Sequence, residues 1–96
     1  MALKSLFPPK ENGCVICGAR QGLHKHHIFF GTDNRKKSEE YGCYCYLCYT
    51  HHATLHWDAK NGHELDCTLK KECQRRFEKK YGHDKFMSVF HRNYLD

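Results

Sequence analysis

The 96-residue chain has no long apolar run. The stretch near its start, MALKSLFPPKENG, is too short for the apolar core of a signal peptide and far short of the roughly 20 residues that span a bilayer. Neither secretion nor membrane insertion is expected, and a reducing cytoplasm fits the chain best. Proline is scarce, and both prolines stand together at Pro8-Pro9. They disfavour helix, and Glu11-Asn12-Gly13 reads as a turn, so residues 1–13 are expected to form an extended arm. Leu6 and Phe7 of that arm suit docking onto the domain. Acidic side chains are outnumbered 11 to 16 by Lys and Arg, giving a formal charge of +5 with nine histidines besides. Such a balance suits a polyanionic partner, though charge alone does not identify one. A single domain of this size buries a limited core and commonly needs a staple.

Cysteine is what the chain has in excess, with seven residues. The odd number and the missing signal argue against a disulfide framework. The spacing argues for metal. Cys14-Val15-Ile16-Cys17 is C-x2-C, Cys48 and His51 are C-x2-H across Tyr49-Thr50, and together they offer a Cys3His tetrahedral site. An ion there would tie the entry of the intervening segment to the start of a helix. Cys43 and Cys45, in the alternating run YGCYCYL, are expected on one buried strand face. Cys67 and Cys73 lack metal spacing and read as core or surface thiols.

The histidines form a second constellation. His52 and His56 lie four apart, on one face of a helix, where two imidazoles can close on one ion. His26 and His27 precede Ile28-Phe29-Phe30, a strand-like run. Neighbours on a strand point to opposite faces. One of the pair can therefore join the ion while the other works as a base.

The rest of the chain reads as strand Gln21–Phe30, a charged loop Gly31–Glu40, strand Tyr41–Leu47, and a helix capped by Thr50 that runs from His51 to about Ala59 and ends at Asn61-Gly62. A second helix is expected over His63–Lys80, with Leu65, Leu69, Cys73 and Phe77 as its apolar stripe, stopped by Tyr81-Gly82. A short third helix is expected from Asp84 to about His91, with Phe86, Val89 and Phe90 inward. Arg35, Lys36 and Lys37 in the loop, and Arg75 and Arg76 on the second helix, are the candidates for phosphate contact.

Cys14-x2-Cys17, His26-His27-Ile28 and Leu47-Cys48-x2-His51-His52-x3-His56 together resemble an HNH endonuclease with a ββα-metal core, over roughly residues 14–57. The phrases NRKKSEEYG and FMSVFHRNYL are similar to small HNH proteins of bacteriophages and prophages of Gram-positive bacteria. The resemblance implies an α+β fold: a zinc-stapled ββα-metal core of hairpin plus helix over 14–58, then a two-helix C-terminal extension over 63–96, in one nuclease domain. It implies His26, His52 and His56 as ligands of one catalytic divalent ion (Mg2+, Mn2+, Ni2+ or Zn2+), His27 as general base, and a structural zinc on Cys14, Cys17, Cys48 and His51. It further implies cleavage of DNA, most simply duplex, to 5′ phosphate and 3′ hydroxyl ends in a bacterial host cytoplasm, with a phage or host recombination or packaging protein as a further partner. Three neutral imidazoles suit a transition metal better than Mg2+.

The chain departs from the family pattern twice. His51 replaces the second cysteine of the closing knuckle, which zinc tolerates. The family's middle asparagine, which orients the base, is missing near Cys43; Asn34 is the only asparagine between the two histidine clusters, and either it or a backbone carbonyl takes that role. The alternative to a nuclease is a non-catalytic zinc module that binds nucleic acid, in which these histidines are structural.

Overall fold

A computed structural model describes residues 5–95. Two strands, β1 (Leu23–His27) and β2 (Tyr44–Cys48), pair antiparallel, with His24 opposite Leu47 and His26 opposite Cys45. The connection between them is not a loop. It holds helix α1 (Thr32–Tyr41), and α2 (Tyr49–Trp57), α3 (Ala59–Tyr81) and α4 (His83–Phe90) follow β2. The fold is thus α+β, a two-stranded sheet with four helices, the last two forming the expected C-terminal pair.

β2 is buried on both faces at its two ends, with Tyr46 half-buried between them. Cys45 and Leu47 on β2 and His26 on β1 are buried on one face, which α2 covers. Cys43, just before β2, is fully buried as expected. β1 is shorter than Gln21–Phe30, because the chain bends after His27, although the Ile28 amide still donates to the Cys43 carbonyl at 2.9 Å. Ile28 and Phe29 then turn into the core.

That bend explains α1. Ser38 is buried, and its Oγ both accepts from the Phe29 amide at 3.1 Å and donates to the Phe29 carbonyl at 2.7 Å. Gly42, left-handed at φ 75°, ends the helix by returning its amide to the Ser38 carbonyl. One serine therefore anchors a segment that has almost no apolar periodicity, and its Arg, Lys and Glu residues are good helix formers.

Further boundaries differ from expectation: β2 is Tyr44–Cys48 rather than Tyr41–Leu47, because Tyr41 and Gly42 end α1. Thr50 does not cap α2: the helix begins at Tyr49, and the Thr50 carbonyl accepts a bond from the Thr54 hydroxyl at 2.9 Å. Asn61-Gly62 lies inside α3, and the break falls at Asp58, whose carboxylate caps α3 by accepting from the Asn61 amide at 3.0 Å. Gly62 is there for contact. A Cβ on it would sit 2.5 Å from the Thr54 carbonyl oxygen and 2.6 Å from that of Leu55. The missing side chain lets α3 lie against the last turns of α2, and so sets the direction of the helix that carries His52 and His56.

The apolar stripe of α3 is seen with Leu69, Cys73 and Phe77 buried. Phe77 meets Phe86 with ring centroids 5.3 Å apart, and Phe29 meets Phe90 at 4.3 Å, so α3, α4 and the end of β1 share one aromatic core. Phe7 of the N-terminal arm docks onto the domain as expected and is buried. Among the described residues, no helix is long and apolar enough to cross a membrane.

Candidate active site and metal centres

The first centre is built from two turns. Gly13 and Gly18 take positive φ, and a Cβ on Gly13 would meet the Gly18 carbonyl oxygen at 2.5 Å, so the Cys14–Gly18 turn is tight enough to aim amides at sulfur. The turn is fastened to β2 by the Val15 amide, which donates to the Tyr46 carbonyl at 3.0 Å. Cys48 ends β2, and His51 lies in the first turn of α2. Cys17 Sγ and Cys48 Sγ are 3.8 Å apart, Cys48 Sγ and His51 Nδ1 3.3 Å, and Cys14 Sγ and His51 Nδ1 3.7 Å. A tetrahedral zinc with Zn–S of about 2.3 Å places sulfurs about 3.8 Å apart. The four donors lie within 4.8 Å of one another and can hold such an ion. Burial opposes ionisation of Cys14, but backbone amides of Cys48, Cys17 and Ile16 outweigh it and lower its pKa to about 6. A thiolate ready at neutral pH suits a soft cation.

The second centre joins β1 to α2. His26, only 4% exposed, meets His52 and His56, and the three donor nitrogens lie within 4.8 Å of one another. His52 Nε2 and His56 Nε2 are 3.1 Å apart. His26 Nε2 is buried with no hydrogen-bond partner among the described residues. Leaving a buried polar nitrogen unmatched costs about 1–3 kcal/mol, and a cation at the convergence of the three rings would satisfy it. Burial, then His52, His56, His27 and Lys70, hold the His26 pKa down to about 3, so its lone pair is open to a metal. The donor set fits a divalent transition ion.

His24 belongs to this cluster too, and the sequence reading missed it. Its Nδ1 lies 2.9 Å from His52 Nδ1. Were His52 Nε2 to hold an ion, its Nδ1–H would donate to His24, the outer bond that commonly fixes a ligating imidazole. The signal was present: His24 and His26 are two apart on a strand and share a face.

His27 points to the other face, as the strand period requires. Its Nε2 lies 2.8 Å from Glu39 Oε2, and the other oxygen of Glu39 takes Lys25 Nζ at 2.7 Å. Lys25 first, then His27, holds the Glu39 carboxyl below the usual range despite some burial. Asn34, the sequence candidate for orienting the base, stands in the first turn of α1, and the group that meets His27 is Glu39, about one turn beyond Arg35 on the same helix. Because Thr32–Tyr41 is a helix rather than a loop, Glu39 is brought beneath β1.

A cavity of about 300 Å³ is lined by Lys25, His26, His27, Phe30, Arg35, His52 and His56, and so joins the two histidine faces at one rim. It continues into a larger cleft of about 810 Å³ along α1, where Lys36 and Glu39 join the wall. Arg35 and Lys36 thus reach the site; Lys37 lines neither space, and Lys25 is a cation the sequence reading did not single out. Arg75 and Arg76 are elsewhere. Arg76 donates to the Leu6 carbonyl at 3.0 Å, pairs with Glu72 at 3.0 Å and covers the Phe7 ring, so it holds the N-terminal arm. Arg75 is exposed beside Glu72.

Comparison with protein-family models, with curated proteins and with solved structures found no match to the chain.

Proposed function

We propose that this chain is a metal-dependent endonuclease of the HNH kind that hydrolyses phosphodiester bonds in DNA. The observation that carries the reading is the division of adjacent histidines: His26 faces His52 and His56, while His27 faces a carboxylate across the same cavity rim. A purely structural metal site requires no carboxylate-held imidazole beside it.

His27 acts as general base. With its Nε2–H donated to Glu39, Nδ1 is the free acceptor, and it takes the proton of the attacking water. Glu39 positions the ring and fixes that tautomer, and Lys25 holds Glu39 in turn. Arg35 and Lys36 bind phosphates on either side of the scissile bond from the wall of the cleft. His26, His52 and His56 would hold a divalent ion, which would supply positive charge for the phosphate and the leaving 3′ oxygen. Three imidazoles favour Mn2+, Ni2+ or Zn2+ over Mg2+, which prefers oxygen. The Cys14, Cys17, Cys48 and His51 centre takes no part in the chemistry: a structural zinc there would hold the Cys14–Gly18 turn, the end of β2 and the start of α2 together.

The test is cleavage of supercoiled plasmid and of circular single-stranded DNA by the zinc-loaded protein with each of Mg2+, Mn2+, Ni2+ and added Zn2+, wild type beside His27→Ala. Nicking or linearisation by wild type and a loss of at least about a hundredfold in the variant are expected. Wild-type protein that binds DNA but cuts with none of these ions would favour the non-catalytic zinc module.

A further inference from the structure

Helix α2 carries two neighbouring stripes. His52 and His56 form one. Tyr49, Ala53 and Trp57, also spaced by four, form the next, and consecutive positions differ by about 100° around the axis. Between the stripes lies a pocket of about 290 Å³ lined by His24, Tyr49, His52, Ala53, His56 and Trp57. It shares His52 and His56 with the cavity that holds His27. The two sides of the metal cluster therefore differ in kind. One side presents Lys25, Arg35 and Lys36, and the other presents aromatic rings with no lysine or arginine.

Trp57 is 86% exposed and Tyr49 is 69% exposed, more than any other large apolar side chains among those described. Large aromatic rings left in water forgo the burial that the same chain gives Phe29, Phe77 and Phe86. Ala53 between them keeps the floor of the pocket low. The Tyr49 ring is itself set edge-on by His24, with centroids 6.3 Å apart at 88°.

We propose that Trp57, with Tyr49, is a stacking platform for an unpaired nucleobase next to the scissile phosphate, so that the substrate is single-stranded at the point of cleavage. A nucleic acid strand has a charged edge and flat, apolar bases. The basic cleft takes the charged edge on one side of the cluster, and the indole takes a base on the other. Bases inside a duplex have both faces covered by their neighbours, so only an unstacked base offers a face to Trp57. Aromatic platforms of this kind bind single strands with little sequence preference. The proposal deepens the nuclease reading and rests on it.

Trp57 is the only tryptophan of the chain, so its emission reports on this pocket alone. The experiment uses full-length zinc-loaded His27→Ala protein without further divalent ion, so that the DNA outlasts the titration. A fluorescein-labelled oligothymidine and a duplex of equal length are titrated by anisotropy, with Trp57 emission followed in parallel on unlabelled strands. The single strand should quench Trp57, and Trp57→Ala should weaken its binding at least about fivefold. Trp57→Phe should keep most of the affinity, and duplex affinity should change less than about twofold in either variant. Because Trp57 is exposed, Trp57→Ala leaves no core void, and an unchanged zinc content and circular dichroism spectrum establish that it folds. A bound single strand with unaltered emission, or equal loss for duplex and single strand, overturns the stacking proposal while DNA binding stands. Binding of neither DNA overturns the nuclease reading along with it.

Discussion

Glu39→Gln is the substitution that separates the positioning of His27 from everything else in the cleft. It keeps the shape of the side chain and removes the charge. In the wild type, Glu39 Oε2 lies 2.8 Å from His27 Nε2. A hydrogen bond to a charged group contributes about 1.5–3 kcal/mol. Here the carboxylate is 39% exposed and shares its charge with Lys25 at 2.7 Å, so solvent and lysine both screen it and the lower end applies. A loss of about 1.4 kcal/mol from the transition state is a tenfold fall in rate. We expect kcat to drop about tenfold with KM within about twofold, because Glu39 acts through His27 and only once the imidazole takes up a proton. Glutamine can also turn its amide toward His27 and accommodate the wrong tautomer, so 15N spectra of the imidazole should lose the Nε2–H signature. The variant His27→Ala/Glu39→Gln should cleave no more slowly than His27→Ala alone, since the two residues act as one unit. The assay is steady-state cleavage of an oligonucleotide with the most active divalent ion. Wild-type turnover in Glu39→Gln, or losses that simply multiply in the double variant, would refute the assignment.

Three other perturbations test the frame around the site. His24→Ala should weaken divalent-ion affinity at the His26, His52 and His56 site about 10- to 100-fold, the usual effect of losing an outer partner, while the Cys3His zinc remains; cobalt titration followed by visible absorbance measures both. Cys14→Ser should lower zinc content below one ion per chain and abolish the cooperative melt seen by circular dichroism, because metal binding of this kind commonly exceeds the whole stability of a small domain. A folded Cys14→Ser protein without zinc would show that the core stands alone. Gly62→Ala places a methyl 2.5 Å from a backbone oxygen that no side-chain rotation can relieve. It should cost about 1–3 kcal/mol, read as a lower urea midpoint at unchanged slope.

The features legible in the sequence were those that local geometry governs. The C-x2-C and C-x2-H half-sites and the His-x3-His pair are set by the pitch of a turn or a helix, so spacing was enough to find them. The opposition of His26 and His27 follows from the two-residue period of a strand. The stripe of Leu69, Cys73 and Phe77 follows from the helical period. The same rule applied to His24 and His26 would have recovered His24.

What the tertiary structure decided are the pairings between distant parts of the chain. Glu39 meets His27 across 12 positions, and Arg76 meets the Leu6 carbonyl across 70. No local pattern marks either partner: Glu39 is one of many charges in a polar run, and Arg76 looks the same in sequence as Arg75. The helical state of α1 belongs with them. Its sequence has too few apolar residues to show a face, and the helix is anchored by Ser38 on Phe29, a contact that exists only once β1 has bent into the core. Asn61-Gly62 shows the converse. Locally it is a helix terminator, yet Asp58 had already capped a new helix, and the space between α2 and α3 admits only a residue without a side chain. The candidate ligand halves were determined by spacing along the chain; their closure into two clusters, and the carboxylate behind His27, were determined by how the helices pack on the sheet.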